Sequence, residues 1–301
     1  MKWKKLGRLY SADPIHPKLL SHAANPLPIL LADDVFRIFF SGRDAENKSS
    51  VGFVDIDIVT KKIINVSDRP VFEYGPAGSY YSHGVSIGNG YEVEGEKYIL
   101  FMGWHFPVGQ HWRGEIGRLK LNSDYSLTLD GESPMMPLND QDPLSLSYPC
   151  VIRDVDGLYQ MWYGSTATWD AGNGEMLHTL CRATSIDGKE WQRQGLAIPF
   201  ELGPAQAFSH PTVLGNLREG YQMWFSYRGN SGPKYRIGYA TSVDGSTWVS
   251  QNNNAGIDMS ESGWDSEMIA YPSVFRHKDQ IFMLYTGNSY GKTGFGLAIF
   301  E

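Results

Sequence analysis

Cysteine is scarce in this chain, two in 301 residues, so a disulfide framework is excluded as the source of its stability. Long apolar runs are absent as well. The longest are of strand length, and no membrane insertion is expected. The basic start MKWKK is followed by no apolar segment, so it does not read as a secretory signal and points to a cytoplasmic location. The net charge is −7 with a pI of about 5.6, and no Lys/Arg stripe interrupts it, which argues against a nucleic-acid partner. No stretch has a helical period. The glycine-rich end GNSYGKTGFG (287–296) joins two strand-like runs without a following helix, so it is no phosphate loop.

What the chain has in quantity is aromatic residues, glycine and a repeat. The clearest unit runs from Phe208 to Trp248. A short strand opens with Pro211, a polar turn spans 215–220, and an aromatic strand covers 221–227. A third strand (235–241) then leads through a Ser-x-Asp-Gly turn (242–245) to Trp248. Short aromatic and β-branched runs separated by Gly/Asn/Asp turns predict antiparallel sheet. The outline recurs as SYPCVI, LYQMWYG and LCRATSIDGKEW (147–191), as AYPSVF, IFMLYTGN and GFGLAIF (270–300), and more weakly as ANPLPIL with FRIFFSGR and SHGVSI with YILFMGW. Strand-opening positions Pro26, Gly84, Pro149, Pro211 and Pro272 step by 58, 65, 62 and 61 residues. A period of that length predicts an all-β fold, a five-bladed β-propeller of four-stranded antiparallel blades forming one domain over 1–301. The last copy lacks its fourth strand. WKKLG at 3–7 resembles WQRQG at 191–195 and is expected to supply that strand, closing the ring. Cys150 and Cys181 fall on the first and third strands of one blade, about 9.5 Å apart at two strand spacings, too far for a disulfide.

In such a ring the first strands start, the second strands end and the third strands begin on one face, where function is expected. First-strand starts place Asn25, His83, Tyr148, His210 and Tyr271 there, with Glu267 just ahead of the last. Second-strand ends and their loops add Arg43 and Asp44, Trp104 and His105, Trp169, Glu175 and His178, Arg228, and Asn288 with Tyr290. Glycosidic cleavage needs two carboxyl groups sharing the channel mouth. Glu267, Asp44 and Glu175 are the candidates, with His210 as a proton donor of near-neutral pKa. The remaining residues are candidate saccharide contacts: guanidinium forks suit an acidic sugar or phosphate, and flat indoles suit sugar rings. An axial imidazole together with Glu267 would also suit a divalent ion. No His/Cys spacing supports a metal, and no cofactor is expected. The Ser-x-Asp-Gly turns read as structural.

The blade count, ANP at 24–26 and YRIGYATSVDG at 235–245 resemble the five-bladed propeller superfamily of arabinanases, invertases, levansucrases and mannoside phosphorylases. GWDSEMIAYPSVF (263–275), followed by MLYTGNSYGKTGFG, is similar to uncharacterised propellers encoded near surface-polysaccharide biosynthesis genes. The resemblance implies action on glycosidic bonds, with acids at the inner-strand starts of blades one, three and four. This chain holds Asn25, Tyr148 and His210 there, which argues against ordinary hydrolysis. The expectation is a carbohydrate-active enzyme that cleaves or transfers a glycosyl unit, with a saccharide or sugar phosphate as ligand. The alternative is a propeller that only binds a glycan.

Overall fold

A computed structural model describes residues 2–230, 232 and 234–301. After β1 (Trp3–Tyr10), β2 (Ser21–Ala32), β3 (Val35–Arg43), β4 (Ser49–Asp57) and β5 (Lys62–Val66) pair antiparallel in chain order. The same meander repeats in β6 (Gly84–Val93), β7 (Glu96–His105), β8 (Arg113–Leu121) and β9 (Leu127–Leu129). It repeats again in β10 (Leu146–Arg153), β11 (Tyr159–Thr168), β12 (Leu177–Ser185) and β13 (Gln192–Leu196). Next come β14 (Ala207–Asn216), β15 (Gly220–Arg228), β16 (Arg236–Ser242) and β17 (Trp248–Ser250). Finally β18 (Ala270–His277), β19 (Gln280–Thr286) and β20 (Phe295–Phe300) pair in order, and β1 pairs antiparallel with β20. The first strands of the meanders touch one another in cyclic order, β2 to β6, β10, β14, β18 and back to β2.

The likeness of WKKLG to WQRQG has a physical basis. Lys5 Nζ reaches Asp265 Oδ2 at 2.7 Å, and Asp265 also accepts the Tyr285 hydroxyl at 3.0 Å. Arg193 Nη1 reaches Asp142 Oδ2 at 2.6 Å, and Asp142 accepts the Tyr163 hydroxyl at 2.9 Å. A cation on the outermost strand thus neutralises a buried carboxylate that anchors a core tyrosine, in both copies. The indoles lie between meanders: Trp162 and Trp248 both donate from Nε1 to the Gly245 carbonyl, and Trp3 packs edge-on to Trp224. In the turns, Asp187 and Asp244 accept backbone N–H groups two and three residues on, and Ser185 and Ser242 accept those of Gly188 and Gly245. Cys150 and Cys181 stand on the first and third strands of one meander, buried and free.

Each inner strand carries a bulge at an equivalent place, where the register skips two residues: 25–26, 88–89, 148–149, 210–211 and 271–272. Asn25, Tyr148, His210 and Tyr271 adopt φ of 53°, 30°, 51° and 54°, the left-handed region that L residues enter at a cost. Each precedes a proline. A bulge re-aims a side chain, and here it turns those four off the pleat.

The second meander differs from its sequence reading. Its bulge is Gly88–Asn89, so Asn89 takes the place of the proline and His83 lies ahead of β6 rather than at the bulge. Positions 26, 89, 149, 211 and 272 then step by 63, 60, 62 and 61. The sequence hid this because no proline marks the position. Instead the Asn89 carboxamide accepts the Val151 N–H at 2.8 Å, tying β6 to β10.

Candidate functional site: the axial cavity

Where the second strands end, a cavity of about 340 Å³ opens along the axis of the inner strands. Three bulge residues, Asn25, Tyr148 and Tyr271, form part of its wall. Behind them His210 is buried, its ring 5.2 Å from Tyr148 and 5.5 Å from Tyr271 between centroids. Neither of its nitrogens has a normal hydrogen-bond partner, although they face the backbone of Ile87 and Pro272. Burial pulls the His210 pKa down to about 4, against a smaller opposing pull from that backbone. A neutral imidazole thus closes the floor.

Serines recur around the wall: Ser41, Ser49, Ser86, Ser147 and Ser209. Ser147 Oγ shares a 2.7 Å hydrogen bond with His178 Nε2, whose Nδ1 meets Thr166 Oγ1 at 2.7 Å. Burial, with a smaller push from Arg228, lowers the His178 pKa to about 4. Gly164 makes this pair feasible, since a Cβ there would stand 2.1 Å from Ser147 Oγ and 2.4 Å from His178 Nε2.

The wall has two unlike halves. Arg43, Arg228, Tyr235 and Tyr290 come from neighbouring meanders in the cyclic order. Arg228 Nη1 donates to Glu175 Oε2 at 2.5 Å, and its guanidinium lies 5.5 Å from the Tyr235 ring centroid. Met102, Trp104, Phe106 and Trp112, from the β6–β9 meander, make the other half. Trp104 Nε1 is fixed by Ser49 Oγ at 3.1 Å.

The structure therefore brings Asn25, Arg43, Trp104, Tyr148, His178, Arg228 and Tyr271 to one cavity, and Glu175 against Arg228. Other candidates stand elsewhere. Asp44 Oδ1 accepts the N–H groups of Glu46 and Lys48, both at 2.8 Å, and caps its own loop. Glu267 is exposed and outside the lining, and its N–H donates to Asn288 Oδ1 at 2.8 Å. Asn288 also accepts from Met268 and donates to Gly263, so it clamps a loop rather than facing the cavity. His83 is half-buried against Trp104 and Phe106, its pKa lowered by burial and by Lys48. His105 faces the Tyr80 carbonyl at 3.3 Å. Trp169 stacks on His111 at 4.7 Å and meets Trp112 edge-on, one layer behind the wall. Ser49, Trp112 and Tyr235 were not foreseen, although all three begin or precede third strands, the signal that would have found them. Met176 also directly precedes a third strand, β12, whereas Ser41, Ser86, Ser147 and Ser209 carry no such signal.

No family model matches the chain. Solved structures do. A glycoside hydrolase superposes with a TM-score of 0.72 at 13% identity, covering 99% of this chain and 91% of that one. An endo-arabinase from Bacteroides thetaiotaomicron gives 0.68 at 12%, covering 93% and 94%. A structure from the mannoside phosphorylase family that contains glycoside hydrolases targeting beta-1,2 mannosidic linkages in Candida mannan gives 0.70 at 14%, covering 100% and 95%. The fold is that of the glycosidase-like propellers. Within it, the chain belongs to the family of an uncharacterised protein of Mycobacterium tuberculosis strain H37Rv, with which it is 41% identical over 303 residues, 100% of each. The corresponding protein of strain CDC 1551 matches equally, at 41% over the same length.

Proposed function

We propose that the chain is a single-domain, five-bladed propeller whose axial cavity binds a saccharide or sugar phosphate without hydrolysing it. The observation that carries this reading is the composition of the wall: guanidinium, phenol, indole, hydroxyl and imidazole groups line it, and no carboxylate does among the described residues. Hydrolysis of a glycosidic bond asks for two carboxyl groups facing one another across the sugar. Hydroxyl-rich walls with flat aromatic faces and a few convergent charges are the makings of a binding pocket. The resemblance to propellers near surface-polysaccharide genes supports a ligand drawn from polysaccharide biosynthesis, handled in the cytoplasm.

A second reading, glycosyl transfer, is favoured by Glu175, the carboxylate that Arg228 holds beside the wall. Glu175→Gln separates the two. A binder keeps its ligand and shifts only in affinity, by about 1–3 kcal/mol for a mismatched hydrogen-bonded partner. An enzyme that uses Glu175 as its acid loses roughly 10²–10⁴-fold in turnover with binding still measurable. Glu267→Gln should change neither, since that side chain lies outside the lining; a fall in turnover with this variant would return Glu267 to the mechanism. Thermal-shift screening across monosaccharides, sugar phosphates and nucleotide sugars identifies the ligand. If no saccharide of any kind stabilises the protein, the reading fails.

A further inference from the structure

The cavity is charged against the grain of the molecule. The chain as a whole carries −7, yet the lining holds two guanidinium groups and, among the described residues, no carboxylate. Glu175 offsets one of the two. Arg43 is half-buried and has no carboxylate within ion-pair distance among the described residues. Arg228 is a nearly buried side chain, 9% exposed, whose Nε has no hydrogen-bond partner. Asn25, 2% exposed, has an unpartnered Oδ1 in the same wall. Buried donors and acceptors in folded proteins are almost always satisfied, so unpaired polar atoms on two residues of one cavity wall leave hydrogen-bonding capacity there that the chain itself does not use. Arg228, Tyr290 and Arg43 come from three successive meanders in the cyclic order and all line the cavity, which puts the two charges on adjoining parts of its wall. The facing half is apolar and aromatic.

We infer that the ligand is a sugar bearing an oxyanion, a phosphate ester or a carboxylate, that docks on the Arg43–Arg228 side while its ring lies against Trp104 and Trp112. The inference rests on the saccharide reading and sharpens it. Guanidinium forks match the paired oxygens of both anions and bind them by charge-assisted hydrogen bonds. A positive recess in a low-dielectric wall also concentrates anions from solution. The Asn25 carboxamide then has a sugar hydroxyl as its natural partner.

The test uses the full chain and defined probes at constant ionic strength: inorganic phosphate, glucuronate, glucose 1-phosphate, and a panel of neutral saccharides. Titration calorimetry should show binding of the anionic probes, weakened about tenfold or more by Arg43→Gln, the loss of roughly one charge-assisted hydrogen bond. Arg69→Gln, which removes an exposed arginine paired with Asp68, should leave it unchanged. Because Arg228→Gln alone would strand Glu175, the double variant Arg228→Gln/Glu175→Gln is the second probe, and it should also weaken the anions. Tighter binding of glucose 1-phosphate than of glucuronate assigns a phosphate ester, and the reverse order a uronate. Neutral saccharides binding as tightly as anionic ones, with Arg43→Gln indifferent, would overturn the inference and leave the saccharide reading standing. Arg43-dependent binding of inorganic phosphate with no saccharide bound would overturn that reading and leave the anion site in place.

Discussion

At the scale of single residues, the fold holds groups in states that water would not favour. His22, His178 and His210 are all buried, and burial brings each pKa down to about 4, against about 6.5 in an unfolded chain. The folded form therefore binds fewer protons than the unfolded form between those values. Stability is full above about pH 6.5 and falls as pH drops toward 4, by roughly 3 kcal/mol per histidine at most. Urea midpoints should thus decline through that window. His210→Phe, which keeps a ring between Tyr148 and Tyr271 and removes two unpartnered nitrogens, should flatten the decline; an unaltered slope would mean that His210 does not contribute. Gly164→Ala tests the opposite kind of site. Its methyl group would collide with both Ser147 Oγ and His178 Nε2, so a loss of about 1–3 kcal/mol is expected, with weaker ligand binding, read by calorimetry and chemical denaturation.

At the scale of elements, β1 is the strand on which the ring depends. It covers the edge of β20 and brings Lys5 to Asp265 and Trp3 to Trp224. Lys5→Met would leave Asp265, 2% exposed, without its cation, a change expected to cost about 3–5 kcal/mol. Arg193→Met should cost as much for the same reason at Asp142. If Lys5→Met/Asp265→Leu is no more stable than Lys5→Met, the cost came from packing rather than from the stranded charge. Deleting residues 1–9 should abolish the cooperative thermal transition, because it bares a long strand edge and empties the space that Trp3 fills; an unchanged melting profile would rule closure out. The inner-strand bulges make a related point. Their left-handed residues before proline are strained at positions that face the axis, which is where strain in proteins gathers around function.

At the scale of the whole molecule, arrangement decides what the site can do. The meanders bring Arg43, Tyr290 and Arg228 together although 247 positions separate the first two in sequence. A ligand that bridges the two halves of the cavity ties several meanders to one another. It should raise the melting temperature in proportion to RT ln(1 + [L]/Kd), about 2.7 kcal/mol at a hundredfold excess over Kd. The rise should shrink in Arg43→Gln and persist in Glu267→Gln.

The sequence by itself determined the strands, their antiparallel order and the partnership of the two chain ends. Those follow from local chemistry: alternation, turn residues, and a repeat that put Trp3 and Lys5 in step with Trp191 and Arg193. It also picked out part of the wall, because Asn25, Arg43, Tyr148, Arg228 and Tyr271 sit at strand ends that recur with the period. Tertiary structure alone decided which candidates face the axis. Glu267, Asp44 and Asn288 are within a few residues of lining positions, yet Asp44 and Asn288 are turned to the backbone of their loops and Glu267 is exposed, and one residue of register or one bulge reverses a side chain's direction. The shift of the second meander from Gly84 to Asn89 is the same effect. Serine and glycine carry too little pattern to announce themselves, so Ser147, His178 and Gly164 became a unit only where β10, β11 and β12 brought them into contact.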